Sequence, residues 1–124
     1  MEKSLILKIL CKKDAVDLDD SIYNLRVITD ELRHIFMLSA NIDEDILLTD
    51  KKKLNSIYNI LNPISSRLED DNYIQGYTNS KSHLSKYIND ICTNISKLIS
   101  SMDSLNMKDI IYHTNILIDL VLSY

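Results

Sequence analysis

The stretch Leu84-Ser85-Lys86-Tyr87-Ile88-Asn89-Asp90-Ile91-Cys92-Thr93-Asn94-Ile95-Ser96-Lys97-Leu98-Ile99-Ser100-Ser101-Met102 decides the fold class. Leu84, Ile88, Ile91, Ile95, Leu98 and Met102 recur at steps of four and three, so in an α-helix they share one face. Lys86, Asn89, Asp90, Asn94, Lys97 and Ser100 fall largely on the other. Ser80 or Ser82 is placed to cap its start, because a short hydroxyl side chain accepts from an orphan backbone N–H. The heptad-like spacing lasts under three heptads, too short for a coiled coil, and packing in a helix bundle is the default.

The same period repeats upstream. Leu54, Ile57, Leu61, Ile64 and Leu68 follow it, with Pro63 inside the run. A proline there kinks or restarts a helix, and Asn62 would then be the cap with Pro63 at the first helical position. Ile22, Leu25, Ile28, Leu32 and Ile35 form a third stripe, broadened by Val27, Phe36 and Leu38. Leu5, Ile6, Ile9 and Leu10 mark a short first helix. The last helix, Leu105 to Leu122, is apolar on most sides and leaves a narrow polar strip of His113, Asn115 and Asp119. Such a helix is either central, surrounded by others, or has one face in a subunit interface. Asp14 to Asp20 reads as a loop capped at Asp20 or Ser21. Asn41 to Asp50 reads as an acidic connection with at most a short helical turn. Asp70 to Asn79, with the chain's one glycine, Gly76, reads as the long connection. The expectation is one all-α domain over residues 1–124, a bundle of five to seven helices.

Composition narrows the function classes. With 14 Lys and Arg against 18 Asp and Glu, the net charge is −4, which argues against a nucleic-acid binder that needs a clustered positive surface. At 45% hydrophobic and 26% charged, the chain has the make-up of a folded domain, not of a disordered tail. One Gly and one Pro are too few for a many-stranded sandwich or a Gly-rich phosphate loop. Cys11 and Cys92 read as reduced, packed thiols, too few and too far apart for a disulfide scaffold or zinc site. Met1 to Lys13 does not read as a signal peptide, because Lys8 interrupts a short apolar run. No stretch approaches 18 apolar residues, and Asn94-Ile95-Ser96 is a glycosylation sequon by pattern only. The expected setting is a reducing, cytoplasmic one.

No constellation of catalytic groups emerges. His34, His83 and His113 lack partners at metal-site spacing. The carboxylate pairs Asp19–Asp20, Asp43–Asp45 and Asp70–Asp71 read as solvated stretches or helix caps rather than acid/base pairs. No serine sits in a nucleophile elbow. The triplet Lys51-Lys52-Lys53 reads as a solvated face against the alternative of an anionic partner surface. Lys3, Lys8, Lys12 and Lys13 flank the first helix, whose apolar residues suit a core better than a membrane surface. Tyr58, Tyr87 and Tyr112 lie on helical stripes and read as core-edge residues; Tyr23, Tyr73, Tyr77 and Tyr124 are candidates for an interface. The chain reads as a non-enzyme, with no catalytic, cofactor-binding or metal-binding residue and no cofactor.

One resemblance gives a functional lead. Met1, Leu5, Ile6, Ile9, Leu10 and Asp14 are similar in type and spacing to the opening helix of the short Bcl-2-like virulence proteins of poxviruses. Asp30-Glu31-Leu32 and Leu61-Asn62-Pro63-Ile64 through Leu68-Glu69-Asp70 also resemble that family. Together these patches cover about a quarter of the chain. The excess of Asp over Glu, 14 to 4, beside high Ile, Asn and Ser, also resembles a poxvirus composition. The Asn-Trp-Gly-Arg signature of cellular Bcl-2 proteins is missing; Asn72, Tyr73 and Gly76 are a distant echo. The resemblance implies a Bcl-2-like bundle with a buried C-terminal hairpin, Leu84–Met102 and Leu105–Leu122. It also implies a viral inhibitor of host apoptosis or of innate signalling to NF-κB, which binds a host protein and in some members dimerises. The other readings are a self-associating structural or assembly protein and an adaptor subunit of a larger viral or bacterial complex.

Overall fold

The computed structural model describes residues 3–38, 43–70, 73 and 76–124. Among them are five α-helices and no strand: α1 (Lys3–Ile9), α2 (Lys12–Leu38), α3 (Glu44–Leu68), α4 (Thr78–Asp103) and α5 (Met107–Leu122). Helices α2 to α5 form the bundle. Each packs on two neighbours in the cyclic order α2, α3, α4, α5, and α1 folds back onto α2. The α4–α5 connection is three residues, Ser104 to Asn106, which forces those two helices to run antiparallel.

The stripe Leu84, Ile88, Ile91, Ile95, Leu98 and Met102 is buried along its whole length. It meets Leu54, Ile57, Leu61, Ile64 and Leu68 of α3, all buried, and Ile110 and Leu117 of α5. From α2 come Leu18, Ile22, Leu25, Ile28 and Leu32; Ile6 and Ile9 of α1, with Leu10, close one end.

Several local expectations are corrected. Asp14 to Asp20 is not a loop but lies within the first turns of α2. Ala15 and Leu18 extend the Ile22–Leu25 stripe backwards at the same spacing, and their burial outweighs the run of aspartates. Likewise Glu44 to Asp50 are the opening turns of α3, not a connection; Asn41 and Ile42 lie outside the described residues. The cap is Asp43, whose Oδ1 accepts from the N–H groups of Asp45 at 3.0 Å and Ile46 at 3.3 Å. Pro63 neither ends nor restarts α3, and Asn62 is no cap. The proline ring faces solvent, while Leu61 and Ile64 on either side are fully buried and hold the helix through the lost backbone bond. α4 begins at Thr78, ahead of both serines, with Tyr77 at the N-cap in the left-handed region (φ 54°) and no side-chain cap.

The last helix is not surrounded. It starts at Met107, capped by the Asn106 side chain, and buries only Ile110, Thr114, Leu117 and Val121. Ile111 and Leu122 are exposed, and Ile116, Ile118 and Leu120 are half-buried. In a ring of four helices every helix gives the core one face, and no central position exists for α5 to fill. The C-terminal hairpin is therefore buried along α4 and open along the outer side of α5.

Candidate functional site

The buried polar groups are the natural first place to look for chemistry. Asp14, at the start of α2, is 3% exposed. Its Oδ2 accepts from Arg67 Nε at 2.9 Å and its Oδ1 from Arg67 Nη2 at 2.7 Å, a two-pronged ion pair to the end of α3. Tyr73, in the α3–α4 connection, donates from Oη to Asp14 Oδ2 at 2.7 Å and accepts from the Cys11 N–H at 2.9 Å. Burial works to raise the Asp14 pKa, but the Arg67 and Tyr73 hydrogen bonds and the Arg67 charge more than offset it and hold it below the usual range. Burial above all pushes the Tyr73 phenol up. This triad ties the α1–α2 corner to the far end of α3.

A second polar group joins α3 to α4. Ser65 Oγ donates to Asn89 Oδ1 at 2.7 Å and lies 3.1 Å from Ser85 Oγ, which in turn donates to Glu69 Oε1 at 3.1 Å. Elsewhere Asp50 of α3 is 1% exposed, and its Oδ2 has no hydrogen-bond partner. Burial first, and the Glu31 charge second, raise its pKa to about 6 against the pull of Lys53. Asp50 lines none of the five clefts seen among the described residues. Burial likewise pushes the Cys92 thiol up to about 11, where it is inert, while Cys11 is exposed.

The residues singled out in the sequence scatter. His34, His83 and His113 sit on α2, α4 and α5, and among the described residues no group of His, Cys, Asp and Glu is arranged to hold a metal ion. Lys51 pairs with Asp103 across α3 and α4, and Lys52 and Lys53 are exposed. Lys3, Lys8, Lys12 and Lys13 are exposed, while Ile6, Ile9 and Leu10 turn to the core. Tyr58 and Tyr87 sit at the core edge, Tyr87 donating to the Leu120 carbonyl and stacking on Tyr124 with ring centroids 6.3 Å apart; Tyr112 is 60% exposed. Asp19 accepts from the Tyr124 hydroxyl. No helix is long and apolar enough to cross a membrane among the described residues.

What remains is a surface. Along the seam of α2 and α5 lie three open clefts of about 500, 320 and 250 Å³, end to end. The first is bordered by Asp19, Tyr23 and Tyr124, the second by Arg26, Asp30 and Ile118, the third by Arg33, Met37 and Ile111. On this face Tyr23 is 67% exposed, Met37 74% and Leu122 68%. Arg26 and Arg33, two of the chain's three arginines, make no ion pair among the described residues. The third arginine is the one locked to Asp14. Exposed Tyr, Met and Arg along one groove are the residue types that carry protein–protein contacts.

Set against family models, curated proteins and solved structures, the chain matches none.

Proposed function

We propose that this chain is a non-enzymatic protein–protein interaction module that works through the α2/α5 face. The observation that supports it is the contrast between interior and surface. The paired polar groups inside the bundle brace one helix against another, whereas the α2/α5 seam leaves large apolar side chains and two arginines without partners. The resemblance to poxvirus Bcl-2-like proteins supplies the direction: a viral inhibitor in the host cytoplasm that binds a host protein of the apoptotic or NF-κB pathway. An apolar surface open to such a partner lies along the α2/α5 seam, where the C-terminal hairpin is not enclosed.

The test is affinity capture of the tagged chain from human cells, read by mass spectrometry, beside a variant carrying Tyr23→Ser and Leu122→Ser. Both positions are exposed, so the variant keeps its fold. Death-pathway or NF-κB signalling proteins held by the parent and lost by the variant are expected. Recovery of the bait alone, or a set of proteins unchanged by the two substitutions, overturns the reading. A second reading, self-association, is favoured by the charge pattern of the same face.

A further inference from the structure

The exposed stripe of α2 that borders α5 reads Asp19, Tyr23, Arg26, Asp30, Arg33, Met37, at steps of four and three. It spans about 27 Å at a rise of about 1.5 Å per residue. Its charges mirror each other about position 28. Arg26 lies as far before that point as Asp30 lies after it, and Tyr23 as far before as Arg33 lies after. Helix α5 runs antiparallel beside it, so that Ile118 and Leu122 border the same cleft as Arg26 and Asp30. The midpoint of Ile118 and Leu122 therefore falls level with position 28 of α2.

From this placement we infer that the α2/α5 face is the two-fold interface of a homodimer, its occupant a second copy of this chain. The inference rests on the reading of this face as a docking surface and develops the second reading of it, in which the occupant is a second copy rather than a host protein. A two-fold axis through the level of position 28 lays α2 antiparallel on α2 of the second copy, and α5 antiparallel on α5. An isologous contact of this kind demands a self-complementary patch, and the four central residues of the stripe, Tyr23, Arg26, Asp30 and Arg33, supply one. Arg26 meets Asp30 of the second copy, and Asp30 meets its Arg26, giving two ion pairs. Tyr23 lies under the guanidinium of Arg33 from the second copy, twice. Ile118 packs on Leu122, also twice. Within a single copy these groups are idle: Asp30 reaches only His34, at 3.9 Å, and Arg26 and Arg33 have no ion-pair partner among the described residues. A foreign acidic helix would answer the arginines but would leave Asp30 opposed by like charge. The second copy answers both signs with one symmetry operation, and like-for-unlike matching of this sort sets specificity and register.

The test is the solution mass of the full chain by light scattering over a dilution series, with charge-reversal variants at two exposed positions. The parent is expected at twice 14.3 kDa at high concentration. Arg26→Asp places two acidic pairs at the axis and Asp30→Arg two basic pairs, and each alone is expected to weaken the dimer at least about a hundredfold. The double variant R26D/D30R restores it. An equimolar mixture of the two single variants forms a mixed dimer, since each then supplies the sign the other lacks. A parent that stays at 14.3 kDa throughout, or single variants that dimerise like the parent, overturns the proposal. The two readings fail separately. A monomeric parent whose captured host proteins are lost with Tyr23→Ser and Leu122→Ser overturns the dimer and keeps the docking face; a monomeric parent with unchanged capture overturns both.

Discussion

Asp50→Asn makes the bundle more stable at neutral pH and flattens its response to acid. The Asp50 carboxyl is 1% exposed, and its Oδ2 has no hydrogen-bond donor, so ionisation in the folded state is penalised by lost hydration and by the nearby Glu31 charge. The folded pKa is about 6 against 3.8 for an unperturbed group. The folded state thus binds the proton more tightly than the unfolded chain, and stability rises as pH falls from about 7 through 6 towards 3.8. At about 1.4 kcal/mol per pH unit, the ionised carboxylate costs the fold about 3 kcal/mol at pH 7, and about 2 kcal/mol of that is recovered by about pH 4.5. Asparagine removes the charge but leaves an amide to be buried, at a cost of about 1–2 kcal/mol, so the net gain at pH 7 is about 1–2 kcal/mol. Urea unfolding of parent and variant at a series of pH values reads this directly, because the titrations common to both cancel in the difference. The parent is expected to close the gap, and then overtake the variant, as the solution is acidified. A difference that stays constant with pH, or a variant less stable than its parent at pH 7, refutes the reasoning.

Other substitutions probe the rest of the account. Arg67→Ala strips two charge-assisted hydrogen bonds from Asp14 and leaves a buried carboxylate with Tyr73 alone, at a cost of about 3 kcal/mol, the low end for a broken buried pair because Arg67 is half exposed. Because the folded pKa of Asp14 is depressed, the pair stabilises above the unfolded value of 3.8 and loses that contribution as pH falls below it; in urea melts the Arg67→Ala variant lacks this acid-side loss. Ile95→Asp puts an unpaired carboxylate at a fully buried site of α4 and is expected to abolish cooperative thermal unfolding; a melt like the parent's would show that the α4 stripe is not the core. Lys52→Ala changes an exposed side chain on α3 and is expected to leave stability within about 0.5 kcal/mol by the same melt.

The long periodic stripes were legible because each apolar residue at a step of three or four has a buried counterpart. Leu84 to Met102 and Leu54 to Leu68 read directly onto the core. The errors came where polar composition masked that period. Asp17, Asp19 and Asp20 suggested a loop, yet they ride on the outside of a helix whose inner face is Ala15, Leu18 and Ile22. Pro63 suggested a break that burial of Leu61 and Ile64 overrides. Whether α5 is central or has an open face stays undecided in the sequence, because its apolar content counts residues on the seam, such as Ile118 and Leu122, that only a neighbouring element can assign to core or surface. The Asp14–Arg67 pair joins residues 53 apart, and no local spacing announces it. The α2/α5 face had a signal in the sequence, the alternation from Asp19 to Met37 at helical steps. It acquires meaning only once the bundle turns that stripe outward beside α5.

The central claim is that two copies of this chain meet through the α2/α5 face, and methyl NMR across a dilution series tests it most directly. With Ile118, Leu122 and Met37 labelled beside Leu48 and Ile60 on α3, the account expects concentration-dependent shifts at the first three and none at the last two. Shifts at Leu48 or Ile60, or a spectrum that does not change with concentration, would contradict it.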